Sequence, residues 1–184
     1  MIRRIFLLFN RFFMVPMFRL GFGPFMGNRI TGYIMVLRNT GRKTGKSYYS
    51  PVNYAIHRGN IYCMAGFGRV SDWYRNIRSA GEIEVILPSS TIFARVDEVS
   101  DPAERALLIR MILKNAGVAG FFTGFNPITV NDEELLIKTS DLPLICLHPV
   151  GVGNGPSDPS GWMQVWAVLS ILAGLLVIIW LLVR

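Results

Sequence analysis

Two short stretches hold the residue types and spacings from which a binding site could be built. The first is Thr40-Gly41-Arg42-Lys43-Thr44-Gly45-Lys46. Its two glycines permit the positive φ angles by which successive backbone N–H groups can form an anion-binding concavity. Arg42 offers a planar fork for phosphate, Lys43 and Lys46 supply point charges, and Thr44 adds a hydroxyl. The spacing is not that of a Walker loop, and no helix follows directly. A solvated basic hairpin turn would read the same way. The second stretch runs from Ala65 through Gly66 and Gly68 to Asp72-Trp73-Tyr74-Arg75-Asn76. Glycines such as Gly66 let a backbone approach a flat ligand closely, and a helix N-terminus favours a negative group. Trp73 and Asn76 share a helix face, although a tryptophan in this position is more often core than ligand contact.

The elements that must position these stretches follow from pattern and punctuation. Residues 33–38 (YIMVLR) read as a buried strand and 39–46 as a turn. Residues 47–57 form a long strand interrupted by Pro51, and Arg58-Gly59-Asn60 turns into a strand over 61–65. A helix is predicted over 71–79 with Ser71 as its cap. Strands over 82–87 and 91–99 precede a helix that starts at Asp101-Pro102-Ala103-Glu104, a capping box with Pro at the first helical position. Residues 117–127 (GVAGFFTGFNP) are a Gly- and Phe-rich loop, and 142–148 a last apolar strand. Antiparallel strands with inserted helices suggest a small β-barrel or half-barrel of the α+β class.

The two ends differ from this body. In residues 1–18, Arg3, Arg4, Asn10 and Arg11 fall on one side of a helix and the apolar residues Ile2 to Phe13 on the other. Such a helix either lies in a headgroup layer or docks its Phe face on the domain, and Pro16 ends it. Residues 163–183 contain no charge, and 21 residues at about 1.5 Å each match a bilayer core of about 30 Å. The expected organisation is therefore an N-terminal amphipathic helix (1–28), a barrel domain (29–150), a Gly/Pro/Ser linker (151–161) and a transmembrane anchor (162–184). Membrane lipid is then a partner. With no export signal, the expected localisation is a single-pass membrane protein with its domain in the cytoplasm.

Composition narrows the chemistry. The 184 residues carry a net charge of +7, and the 71 residues from Met1 to Ser71 hold 11 basic residues and no acid. That asymmetry favours an anionic ligand or anionic lipid. Nucleic-acid binding would use the charge but leaves the Asp72–Asn76 helix unexplained. Cys63, Cys146, His57 and His148 have no metal-site spacing, so no metal is expected and a disulfide is disfavoured.

Taken together, the GRKTGK loop followed by Tyr48, Tyr49, Ser50 and Pro51, the glycine-marked strand and the Asp-Trp-Tyr-Arg-Asn-Ile run resemble the deazaflavin-dependent nitroreductase family. These are split β-barrel flavin/deazaflavin oxidoreductases, and the likeness extends from about Leu37 to Pro149. The resemblance implies an antiparallel, FMN-binding-like split β-barrel with two or three helices, holding the anionic deazaflavin coenzyme F-420. It implies that Arg42, Lys43, Thr44, Gly45 and Lys46 bind the phosphate and tail. Ser50 and Pro51 would lie beneath the ring, with Gly66, Trp73 and Asn76 flanking it. Lys46 stands where a Gln is common in the family. The deazaflavin would carry the hydride, so no side-chain nucleophile is needed. One departure is that Phe121, Phe122 and Phe125 replace a Tyr-rich substrate segment. Candidate proton donors are then Tyr33, Tyr48, Tyr54 or water. An apolar pocket of this kind suits a quinone such as menaquinone, or a nitro compound. An FMN-dependent enzyme of the same barrel, or a non-catalytic binder of deazaflavin or a fatty acyl chain, are the alternatives. Related barrels often pair, which extends to a homodimer here.

Overall fold

The computed structural model describes residues 8–27, 32–117, 120, 126, 129–153 and 162–183. Six antiparallel strands close into a barrel: β1 (Ile34–Thr40), β2 (Ser47–His57), β3 (Asn60–Met64), β4 (Glu82–Ile86), β5 (Thr91–Glu98) and β6 (Leu144–Val152). Their order around the wall is β1-β2-β3-β6-β5-β4. The α+β antiparallel barrel therefore agrees with the sequence pattern. β1 shows why the wall closes over a core. Met35 and Leu37 alternate into the barrel interior with Ile61, Cys63, Ile145 and Leu147, while Val36 faces outward.

β2 runs unbroken through Pro51, contrary to the expected interruption. It pairs with β1 over Ser47–Asn53 and with β3 over Tyr54–His57, so Pro51 sits where only one neighbour asks for hydrogen bonds. The β2–β3 hairpin turns at Arg58 (φ 49°) and Gly59 (φ 78°), a left-handed pair that suits the twist of the strands.

Helices cover the wall and one end. α1 (Asn10–Met14, wound as a π-helix) runs directly into α2 (Val15–Arg19), and α3 (Gly23–Met26) follows. Pro16 thus lies inside a helix instead of ending it, because the first turn of α2 needs no N–H there. The docked face is Met14 and Phe18 against Val36 and Ile86, with Phe13 beside them, while Leu8, Phe9 and Phe12 remain exposed. Residues 1–7 of the expected amphipathic helix lie outside the described residues.

α4 (Asp72–Ala80) buries Tyr74 and Ile77 in the barrel-interior cluster. α5 (Pro102–Asn115) packs Leu108, Ile109 and Ile112 over the outer face of β3 and β6, and Asp101 caps it by accepting from Ala103 N. α6 (Asp132–Lys138) was not expected from the pattern. Its signals are nevertheless in the sequence: Asn131 accepts from Glu134 N at 2.8 Å, three acids fill the first turn, and Lys138 pairs with Glu134.

α7 (Trp162–Val183) corrects the membrane expectations. Among the described residues no helix is long and apolar enough to cross a membrane. The expected C-terminal transmembrane anchor, and the single-pass membrane localisation inferred from it, are overturned by this finding.

Candidate functional site

The basic loop between β1 and β2 is a tight, self-bonded turn. Gly41 N donates to Lys46 O, and Thr44 N and Gly45 N both donate to Gly41 O. Lys46 N donates to Thr44 Oγ1, and Arg42 N to Asn76 Oδ1. Most of the N–H groups that an anion-binding concavity would need are therefore spent inside the protein. The sequence allowed a backbone cradle, and the fold uses that backbone to stiffen the loop instead. Gly45 takes φ 66° with open space around it, so backbone conformation requires glycine there. Gly41 is required by contact: a Cβ would come within 2.5 Å of the Tyr48 ring.

What remains for an anion is side-chain charge. Arg42 Nη1 is held by Asn76 Oδ1 at 3.0 Å and Asp72 Oδ1 at 3.2 Å. Its Nε and Nη2 have no partner among the described residues. Lys43 and Lys46 are exposed, and no described carboxylate pairs with either. Other cations of the acid-free N-terminal part are engaged: Arg38 with Glu84 at 2.7 Å, and Arg19 over the Tyr49 ring at 4.8 Å. Charge is thus left uncompensated at the loop the sequence singled out.

The remaining sequence-predicted residues divide. Asn76 does meet the loop, but it is 5% exposed and both ends of its amide are engaged: Oδ1 accepts from Arg42, and Nδ2 donates to Asn39 Oδ1 at 2.9 Å. Thr44 and Tyr48 share a hydroxyl contact at 3.2 Å, which makes Tyr48 a brace of the loop. Ser50 and Pro51 are half-buried on β2 next to the loop, and Ser50 Oγ accepts from Asn39 Nδ2. Trp73 is half-buried against the interior cluster, edge-on to Tyr74, so it is partly a core residue. Gly66 is exposed, with open space where a Cβ would stand. Phe121, Phe122 and Phe125 lie outside the described residues. Tyr54 packs against the interior cluster, and burial, aided by Tyr33, pushes its phenol pKa up. Ser71 stands at the cap position of α4 without capping it, and its buried hydroxyl has no partner among the described residues.

Sequence reasoning passed over Asn39. It is 2% exposed and bonded to both Asn76 and Ser50. The signal was available: Met35, Leu37 and Asn39 fall on the same face of β1, and a polar side chain in an inward position needs partners.

Two clefts flank this architecture. One of about 290 Å³ lies at the base of the loop, between Asn39, Thr40 and Ser47 and the acids Glu82 and Glu84. A larger one, about 360 Å³, opens on the β3–β6–β5 wall and is lined by Asp97, Glu98, Asp101 and Glu104. Four acids make it a poor host for an anion, despite its size. In that cleft His148 Nε2 meets Asp97 at 3.1 Å and Nδ1 meets Asn60 Oδ1 at 3.0 Å. No group of described residues could hold a metal ion.

The fold is a closed antiparallel barrel that carries a stiffened cationic loop between β1 and β2. Residues 15–131 match the family described as F420H(2)-dependent quinone reductase, and the chain belongs to that family of oxidoreductases. No curated protein matches the sequence. Among solved structures the chain is similar to an F420-H2 dependent reductase (FDR-A), with 19% identity over 62% of this chain and 93% of the other, at a TM-score of 0.45. It is also similar to an F420 reductase, with 16% identity over 68% and 91% and a TM-score of 0.41. A third is the protein Atu2129 from Agrobacterium tumefaciens strain C58, with 15% identity over 79% and 58% and a TM-score of 0.47.

Proposed function

We propose that the protein reduces a quinone by hydride transfer from the reduced deazaflavin coenzyme F-420, with the β1–β2 loop as the receptor for the coenzyme's phosphodiester and acidic tail. The observation that carries this reading is the loop itself. A chain of this family leaves Lys43, Lys46 and the outer edge of Arg42 uncompensated, on a turn whose backbone is already satisfied. A polyanion fits such a side-chain surface better than it fits a backbone cradle. The chain's own work is then binding and orientation. Asn76 and Asp72 hold Arg42 by one nitrogen, so its other N–H groups point away from both and are free to form a bidentate pair. Gly45 and the Thr44–Tyr48 contact fix the loop's shape before a ligand arrives, which lowers the ordering cost of binding.

Bound there, F-420 would supply the hydride. Gly66, Ser50, Pro51 and Trp73 are the residues proposed to line its ring. Gly66 leaves room, Pro51 and Trp73 offer flat apolar surface, and Ser50 a hydroxyl. A quinone oxygen gaining electron density needs a proton; Tyr54 carries one, although the burial that disfavours its phenolate also makes it a weaker acid than an ordinary phenol. Tyr54 is the proposed donor or proton holder; Tyr48 is committed to the loop.

Fluorescence titration with F-420 and, separately, FMN tests the reading. We expect F-420 to bind more tightly, with affinity falling as salt rises, and Arg42→Ala to weaken it about tenfold or more. Turnover of a menaquinone analogue by the loaded protein should fall in parallel. Tight FMN binding with no response to F-420 would replace the hydride donor, and binding of neither would end the proposal.

A further inference from the structure

We propose that Asn39 is a positioning residue of the cofactor site, acting through Asn76 to fix which face of an amide is shown to Arg42. The inference rests on the function proposed above. Asn39 Nδ2 lies 3.4 Å from Leu37 O, 3.3 Å from Tyr48 O and 3.4 Å from Ser50 Oγ. Two of these are backbone carbonyls, which only accept, so the Asn39 amide cannot reverse without setting oxygen against oxygen. With its nitrogen held, Asn39 must present Oδ1 on the other side, and that oxygen accepts from Asn76 Nδ2 at 2.9 Å. Asn76 is constrained in turn: its nitrogen faces Asn39, so its oxygen faces the loop.

That oxygen takes Arg42 N at 3.3 Å and Arg42 Nη1 at 3.0 Å. The polarity of two β-strand carbonyls is thus relayed through two buried amides to the guanidinium that meets the anion. Without Asn39, Asn76 could turn its NH₂ toward the guanidinium, placing donor against donor and releasing Arg42 from its set orientation. Asp72, at 3.2 Å and with its side chain 83% exposed, is a weak substitute for this buried acceptor. The three sequence-predicted residues Ser50, Arg42 and Asn76 come from a strand, a turn and a helix, and Asn39 on β1 is the group that joins them.

A double-mutant cycle on the full chain, read by F-420 fluorescence titration and thermal unfolding, tests this. Asn39→Leu keeps the volume and removes both polar atoms. We expect it to weaken F-420 binding about tenfold. In the Arg42→Ala background the same change should have a much smaller effect, because the guanidinium that Asn76 orients is gone and only the backbone contact of residue 42 to Asn76 remains. A merely structural Asn39 would add the same loss of affinity in both backgrounds, and that result would overturn the proposal whatever the melting temperature does. Should Asn39→Leu fail to fold, Asn39→Asp, which sets a carboxylate against the two carbonyls, enters the same cycle. Wild-type protein that ignores F-420 would defeat the functional reading and this one together. Normal wild-type binding with an unaffected Asn39 variant would defeat this one alone.

Discussion

At the scale of single residues, the loop between β1 and β2 separates charge that binds from charge that builds. Arg38 and Arg19 are consumed by a carboxylate and an aromatic ring, while Lys43 and Lys46 stay exposed and unpaired among the described residues. Exposed lysines act as screened point charges. Lys43→Ala and Lys46→Ala should each weaken F-420 binding by about two- to fivefold at low salt. The difference from wild type should close as ionic strength approaches the molar range, measured by titration across a salt series. Asn76 behaves differently because it is buried. Asn76→Ala leaves Asn39 Oδ1 without its donor at a site 2% exposed, and should lower stability by about 1–3 kcal/mol in urea unfolding. A substitution at either lysine should leave the unfolding midpoint unchanged.

At the scale of elements, α4 is held to the barrel by a charged knot. Tyr74 Oη and Arg69 both bond Glu98 on β5, and Arg78 approaches Glu98 at 3.5 Å. Burial pushes the Glu98 carboxyl up, but hydrogen bonds from Arg69 and Tyr74 and the charges of Arg69 and Arg78 outweigh it and hold the pKa below its ordinary value. A carboxyl lowered in the folded state stabilises above its unfolded pKa of about 4.5, and the contribution is lost as pH falls through the lower folded value. Glu98→Gln should therefore be less stable than wild type at pH 7, and the two should converge in acid below pH 4, by thermal unfolding at stepped pH. The knot fixes the helix that carries Trp73 and Asn76, so the site depends on an ion cluster no motif contains. The β2–β3 hairpin gives a simpler test: Gly59→Ala, at φ 78°, should cost about 1 kcal/mol with no effect on F-420 affinity.

At the scale of the whole molecule, the barrel is one wall with three packed faces: the interior, the α5 side and the N-terminal helices. Ile145 and Leu147 point inward from β6 with no exposure, and Ile145→Ala should destabilise the fold by about 2–5 kcal/mol in denaturant titration. Cys63 and Cys146 illustrate the geometry. Cys63 pairs with Ile145 and faces the interior, whereas Cys146 pairs with Tyr62 and faces α5, so the barrel wall separates the thiols. Burial pushes both thiols up.

The sequence by itself determined most of the barrel, because alternation, turn glycines and proline act over a few residues: β1, β3 to β5, the Arg58-Gly59 turn and the start of α5 stand where the pattern put them, within a residue or two, whereas β6 runs on to Val152, four residues past its expected end and into the expected linker. It also marked the GRKTGK loop, the Asp-Trp-Tyr-Arg-Asn helix and, through them, the family. It did not yield α6, although the cap and charges were present. It gave the C-terminal apolar run a membrane-crossing role that the described helix does not support. Only the tertiary structure decided that the loop's N–H groups are spent on the loop, and that Asn76 faces inward. It alone joined Asn39 to Ser50, Asn76 and Arg42. Those are contacts between residues up to 37 apart in the chain, and local patterning carries no information about which buried donor will meet which acceptor across a barrel wall.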